Sequence, residues 1–328
     1  MTTNVYGIGN ALVDYEYLVE DNFLSKHSLP KGGMTLLDES QQKKLMTELS
    51  NFKKRQGGGS AANTVIALSQ LGGKSFYSCK VAKDDDGIFY MDDLAKQGVS
   101  HHLKTDQLSV GTTGKCVVMV TPDGERTMGT FLGVTASYDK NQIDWNCLAA
   151  SQFLYIEGYL LCNELAAQAA MQANEFARQK KVKVALTFSD PGVVKFFMER
   201  FKKLLAQPID LLFCNEAEGY AFAEETEILP TFDQLKKVAK HVVMTRSSKG
   251  AVIWDGQELL EVATKPVKPL DANGAGDMFA GAYMYGLTHG MSARKSAELA
   301  CHAASAVIQV YGPRLETKTV KNILSLYS

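Results

Sequence analysis

From residue 153 onward, short apolar runs alternate with amphipathic ones, and that alternation restricts the chain to one broad architecture. Residues 153–156, 182–187, 211–213 and 242–245 read as strands with no polar face. Between them, 165–179, 193–205 and 232–240 carry apolar residues at helical spacing. Strands buried on both faces and joined by helices predict a parallel sheet covered on each side, an α/β fold.

The N-terminal part is more mixed. Val5-Tyr-Gly-Ile-Gly9 suits a buried strand, and Leu45, Leu49 and Phe52 give a helix over 39–52. Gly57-Gly-Gly-Ser-Ala-Ala-Asn63 leads into a second helix, and Phe76 to Val81 reads as a strand. Asp84, Asp85 and Asp86 point in different directions when adjacent, so they are expected to be a capped, solvated helix start rather than a metal site. Residues 116–120 and 125–131 form a hairpin turned at Thr121-Pro-Asp-Gly124. With strands from 15–38, it is expected to make a small sheet outside the main one. The predicted division is a large α/β domain (1–14, 39–110 and 132–328) that binds nucleotide and substrate, and a small β lid (15–38 and 111–131).

Asp271-Ala-Asn-Gly-Ala-Gly-Asp277 carries the chemistry. Its small residues allow a tight turn, and the apolar run from Met278 to Met284 is a helix that starts there. Main-chain N–H groups at a helix start form an anion site, assisted by the helix dipole. Asp277 would repel a phosphate if the site served only to bind one. It makes sense as a base that deprotonates a hydroxyl attacking that phosphate, so phosphoryl transfer is the reaction class expected.

Composition excludes several alternatives. Lys+Arg 35 against Asp+Glu 36 gives a net charge of -1, no electrostatic basis for binding nucleic acid or an anionic membrane. The first residues lack the basic start and apolar core of a signal peptide, and the six dispersed cysteines suit a reducing compartment, so a cytoplasmic location is expected. Gly7-x-Gly9 lacks the third glycine of a dinucleotide fingerprint, Leu12 standing there. Gly114-Lys115 resembles a P-loop end, but Ser109 and Cys116 occupy its defining positions.

Four motifs in order, Gly58-Gly-Ser-Ala-Ala-Asn63, the hairpin, Asn215-Glu-Ala-Glu218 and Asp271–Asp277, resemble the ribokinase-like carbohydrate and nucleoside kinases, the PfkB family. Gly9-Asn-Ala-Leu-Val-Asp14 and Leu212-Phe-Cys-Asn-Glu216 are most similar to its adenosine kinase branch. The resemblance implies a three-layer α/β/α fold with a mostly parallel central sheet and a small β-sheet lid. It implies ATP as donor and a nucleoside or sugar as acceptor, with Asp277 as base and Gly274, Ala275 and Gly276 as anion hole. An ordinary Asp pKa of ~4 makes a weak base, so proton transfer is expected to be late. Asp14 is implied as the clamp on the acceptor's hydroxyls, with Gly59, Ser60 and Asn63 against the same ring. Asn215 and Glu218 are implied to act on Mg²⁺, Glu218 through water. Thr245, Ser248, Gly250, Ala304 and Ser305 would surround the nucleotide, although Ser247 stands where the family has a glycine. Arg126 would swing toward the phosphates as the lid closes; an apolar slot between lid and sheet, with Phe131 or Leu132, would favour a base as acceptor, and polar residues there a bare sugar. Mg²⁺ accompanies ATP; a monovalent cation such as K⁺ is left open, as is the choice between monomer and homodimer.

Overall fold

The computed structural model describes residues 2–327. The large sheet has nine strands, in the order Leu259–Val262, Ala251–Trp254, Ala239–Thr245, Ile209–Asn215, Lys183–Thr187, Ser151–Glu157, Thr3–Ile8, Ser75–Ser78, Ser100–His101. From Ala239–Thr245 to Ser100–His101 the strands are parallel. The other two run antiparallel at the edge and were not anticipated; Asp255 turns the chain between them by accepting from Gln257 N and Glu258 N, each at 2.9 Å.

Successive side chains leave a strand on opposite faces, and here both faces are core. Leu154, Ile156, Leu186 and Leu212 pack beneath the helices Glu164–Gln179 and Ile228–Val238. Tyr155, Ala185, Leu211 and Phe213 pack beneath Ser60–Gln70, Ala275–Thr288 and Ala293–Val307. This is the expected three-layer α/β/α arrangement. The helix expected over 193–205 is broken at Phe197 into Pro191–Phe196 and Met198–Leu204.

The second sheet has five strands, in the order Met34–Leu36, Arg126–Phe131, Gly114–Val120, Leu12–Leu18, Phe52–Gly58. The last corrects the sequence reading. The helix expected over 39–52 is capped by Asp38, which accepts from Gln41 N at 2.8 Å, and ends at Glu48. Phe52 then starts a strand antiparallel to Leu12–Leu18. Its Lys-Lys-Arg-Gln centre has little intrinsic strand preference; pairing at the sheet edge imposes the conformation. Residues 12–14 and 52–58, expected in the large domain, therefore belong to the small sheet.

The solvated role expected for the acidic triplet holds for Asp85 alone. Asp84 caps the helix Asp85–Lys96, accepting from Gly87 N at 2.8 Å, and also binds Thr113. Asp86 is buried and joins that helix to three strands of the small sheet: it accepts from Tyr15 Oη at 2.6 Å and pairs with Lys115 Nζ at 2.7 Å and with Arg55. Burial pushes its pKa up, but the bonds from Lys115 and Tyr15 and the nearby Arg55 charge hold it below the ordinary value. Removing one member of a buried ion pair strands the others, at roughly 3–5 kcal/mol. Asp86→Ala is therefore expected to lower the urea midpoint by a margin of that order; a shift equivalent to less than ~1 kcal/mol would show that the junction is not held by this carboxylate.

Candidate active site

Ligands of parallel α/β sheets bind beyond the carboxyl ends of the strands. Here those ends deliver Asn10, Glu157, Asn215 and Thr245 to one edge. The helix Ala275–Thr288 starts at the same edge, after Gly274 in the left-handed region (φ 72°) with Pro313 packed where a Cβ would stand. Its regular hydrogen bonding begins with Met278 N to Gly274 O at 2.8 Å; Ala275 N reaches back to Ala272 O at 3.4 Å, which leaves the N–H groups of Gly276 and Asp277 as the open part of the first turn. The helix Ser60–Gln70 begins beside it, after Gly59 (φ 99°). The two helices touch at Gly281, where a Cβ would collide with Thr64 O and lie 2.7 Å from Ala67 Cβ.

That contact brings Asp277 onto the other helix. Its carboxylate accepts from Ser60 Oγ at 2.6 Å and from Asn63 Nδ2 at 3.3 Å. Burial pushes the Asp277 pKa up to about 6, against the lowering effect of these two bonds and of Arg314. The ordinary value expected from sequence is thus corrected toward neutrality. Asp14 lies on the small sheet; burial pushes it up to about 7, opposed by Arg314, Arg126 and Lys54. Among the described residues no group donates a hydrogen bond to the Asp14 carboxylate, so its acceptor capacity is open to a ligand. It shares a small cavity with Glu16, Lys54, Gln56, Val118, Arg126, Asn273 and Pro313.

Strand register sorts the remaining small-sheet residues. Cys116 and Thr130 lie level with Asp14, and Val118 and Met128 level with Glu16, on one face. Phe131 pairs with Lys115 on the face opposite Asp14 and does not line the Asp14 cavity. Arg126 is on the Asp14 face, but its Nη2 is engaged by Glu16 at 3.0 Å and by Asp271.

Asn215 and Glu218 meet in a reciprocal cap of the helix Glu216–Ala223. Asn215 Oδ1 accepts from Glu218 N at 2.8 Å, while the Glu218 carboxylate accepts from Asn215 N at 3.0 Å and Nδ2 at 2.8 Å. Burial pushes Glu218 up to about 7, and the charges of Asp190 and Asp277 add to the rise. Asn215, Thr245, Ser248, Gly250, Ala304 and Ser305 line one cavity of 500 Å³, which continues to Ala275 and Gly276 at the helix mouth. Small-molecule sites are typically clefts of about 300–1,000 Å³, a range that includes this cavity.

Sequence reading missed two members of the site. Glu157 is fully buried at its strand end, accepting from Asn10 Nδ2 at 2.9 Å and Ala61 N at 2.8 Å, and burial pushes it up to about 7. A charge closing an apolar strand was the available signal, because such a position faces the ligand crevice. Arg314 donates to Asn63 Oδ1 at 3.0 Å, pairs with Asp93 at 2.5 Å and reaches Gly57 O. Nothing local to residue 314 marks it.

The sequence pattern of the pfkB family carbohydrate kinases matches residues 34–319. The adenosine kinase of Saccharomyces cerevisiae is 27% identical over 342 residues, covering 98% of this chain and 99% of the yeast protein. Among solved structures, the adenosine kinase from Sinorhizobium meliloti superposes with a TM-score of 0.94 at 30% identity, covering 99% of this chain and 100% of that one. A probable sugar kinase from Rhizobium etli CFN 42 gives a TM-score of 0.93 at 30% identity, covering 99% of each chain.

Four carboxyl groups here have raised pKa values: Asp277 at about 6, and Asp14, Glu157 and Glu218 at about 7. Between pH ~4 and ~7 these four groups hold more protons in the folded than in the unfolded state, so their contribution to stability falls as pH rises through that window; His101, His102, His241 and His302, held below the ordinary value by burial, contribute in the opposite direction. Glu157→Gln, which removes one of the raised groups, is expected to make the melting temperature of the ligand-free protein at pH ~8 higher relative to that at pH ~5 than it is in wild type. An identical difference in wild type and variant would remove Glu157 from this account.

Proposed function

Because the chain belongs to the pfkB family of carbohydrate kinases, and is therefore an ATP-dependent kinase acting on a nucleoside or sugar, we propose that it phosphorylates the primary hydroxyl of a nucleoside, adenosine first, giving AMP. The observation that carries the chemistry is Asp277: a carboxylate held by Ser60 and Asn63 in the first turn of a helix whose Ala275 and Gly276 line a cavity of 500 Å³.

In this reading the acceptor hydroxyl sits between Asp277 and the 274–276 turn. Asp277 takes its proton, and a pKa closer to neutrality than an ordinary aspartate's makes it a more effective base. Ser60 and Asn63 hold the carboxylate in place. The N–H groups of the turn, with the helix dipole behind them, receive the negative charge of the transferred phosphoryl group. Asp14 accepts hydrogen bonds from the two vicinal ribose hydroxyls. The nucleotide lies along Asn215, Thr245, Ser248, Gly250, Ala304 and Ser305.

The residues present fit a magnesium ion that arrives with the nucleotide. No cluster of three or more metal-ligating side chains occurs among the described residues, so there is no all-protein cage. Glu218 nevertheless lies where Asp190 and Asp277 already accumulate negative charge, which a hydrated divalent cation would relieve. Glu218, with Asn215, would hold the ion through water, and the ion would offset phosphate charge.

A nucleoside is favoured over a free sugar by whole-length similarity to the yeast and Sinorhizobium adenosine kinases, and by the apolar Cys116, Val118 and Met128 beside Asp14. The sugar reading draws on the polar residues Glu16, Lys54, Gln56 and Asn273 around Asp14 and on the similar probable sugar kinase. An ATP-consumption screen with adenosine, other nucleosides, ribose and fructose separates them: higher kcat/KM for ribose or fructose than for any nucleoside overturns the first reading. Asp277→Asn is expected to lower kcat by about 10²–10⁴-fold while ATP affinity is largely kept. Equal loss of both would make Asp277 a structural residue.

A further inference from the structure

The Asp271 carboxylate, almost wholly buried, gathers three parts of the molecule. Its Oδ1 accepts from Asn273 N at 2.9 Å, bending the chain one residue before Gly274. Its Oδ2 accepts from Gly312 N and from Arg126 Nη2. Pro313, next to Gly312, packs against Gly274, and Arg314 binds Asn63, which in turn binds Asp277. Arg126 comes from the small sheet, where Glu16 holds the same Nη2 at 3.0 Å. The sheet approaches this segment at two further places. Lys54 Nζ donates to Tyr311 O at 2.8 Å, and a Cβ on Gly124, at the hairpin turn, would lie 3.7 Å from Leu270 O.

We infer that Arg126 is a positioning residue: from the small sheet it holds Asp271, and through Asp271 it sets the shape of the Gly274–Gly276 turn and the 312–314 segment braced against it. This differs from the phosphate-reaching role expected for Arg126, because the guanidinium is already committed to two buried carboxylates. The inference rests on reading that turn as the phosphoryl-binding element. Without the arginine, Glu16 and Asp271 face each other across the junction with Lys54 as the remaining nearby cation. Repulsion then favours separation of the sheet from the turn. The turn's N–H groups thus align when the small sheet is docked, which links acceptor enclosure to competence for transfer.

The test uses the full chain carrying Arg126→Gln, Arg126→Lys, Asp271→Asn and the Arg126→Gln/Asp271→Asn pair, with circular dichroism to establish folding. Amide hydrogen exchange in Arg126→Gln is expected to accelerate by about tenfold or more at the bonded N–H groups of Asp271, Asn273 and Gly312, a local opening, and to stay unchanged over 279–288. Arg126→Lys, keeping the charge and a donor, is expected to fall between wild type and Arg126→Gln. Misplaced reacting groups cost on the order of 10²-fold, so kcat should drop by about that factor with KM for ATP nearly constant. The double variant should be no slower than the slower single variant. Unchanged exchange at Asp271, Asn273 and Gly312, or multiplicative losses in the double variant, overturns the inference; multiplicative losses indicate that Arg126 meets the phosphates directly. If exchange accelerates while Asp277→Asn remains fully active, the coupling stands and the phosphoryl-transfer reading of the turn falls.

Discussion

The close packing of two helices at Gly281 is the constraint on which the site depends. Residues 60 and 277 are far apart in sequence, yet their helices both begin at the carboxyl edge of one sheet and run side by side. Only a residue without a side chain lets the second backbone come so near Thr64 and Ala67. At that spacing the Ser60 hydroxyl and the Asn63 amide reach the same carboxylate. The geometry is therefore held by helix packing rather than by the mobility-prone loops that often carry functional groups. A larger residue at 281 would move a carboxylate it never touches.

The same crowding makes the site electrostatically expensive. Asp14, Glu157, Glu218 and Asp277 all have their charged forms disfavoured by burial, and Asp277 raises both Glu157 and Glu218. Arg314 offsets part of this for Asp14 and Asp277. Functional regions tolerate such cost because ligands complete the compensation. Glu157 shows the structural side of it: its oxygens are spent on Asn10 and Ala61, so this acid organises backbone around the site.

What could be read from the chain followed how local each signal is. The strand–helix alternation after residue 153 announced the layered sheet, because each element carries its own periodicity. The 271–277 motif announced a tight turn opening a helix, because its small residues and following apolar run are contiguous. Phe52–Gly58 was hidden, since Lys-Lys-Arg-Gln has no strand pattern and pairs only at an edge supplied by residues 12–18. Asp86 was misread for a similar reason: its cationic partners Arg55 and Lys115 are distant in sequence. Asn215-x-x-Glu218 was legible as a spacing, but its structural meaning is a reciprocal helix cap, with Asn215 at the cavity and Glu218 buried behind it. Arg314 and the Arg126–Asp271 contact exist only in three dimensions.

The chain passes from the large sheet to the small one in very few residues: the strand Thr3–Ile8 ends, and Leu12–Leu18 begins after Gly9, Asn10 and Ala11. On the return, Phe52–Gly58 runs into the Ser60 helix across Gly59 alone. Two short crossings side by side would be the pin of any rotation of the small sheet, with Asp14 and Ser60 next to them in the chain. Rotation about such a pin displaces nearby atoms little and distant ones much. The tip at residues 121–124, at the far end of its strands, would sweep the widest arc, while the carboxylate of residue 14 stayed almost in place. A bound molecule would accordingly be freed by lifting its roof, its footing undisturbed.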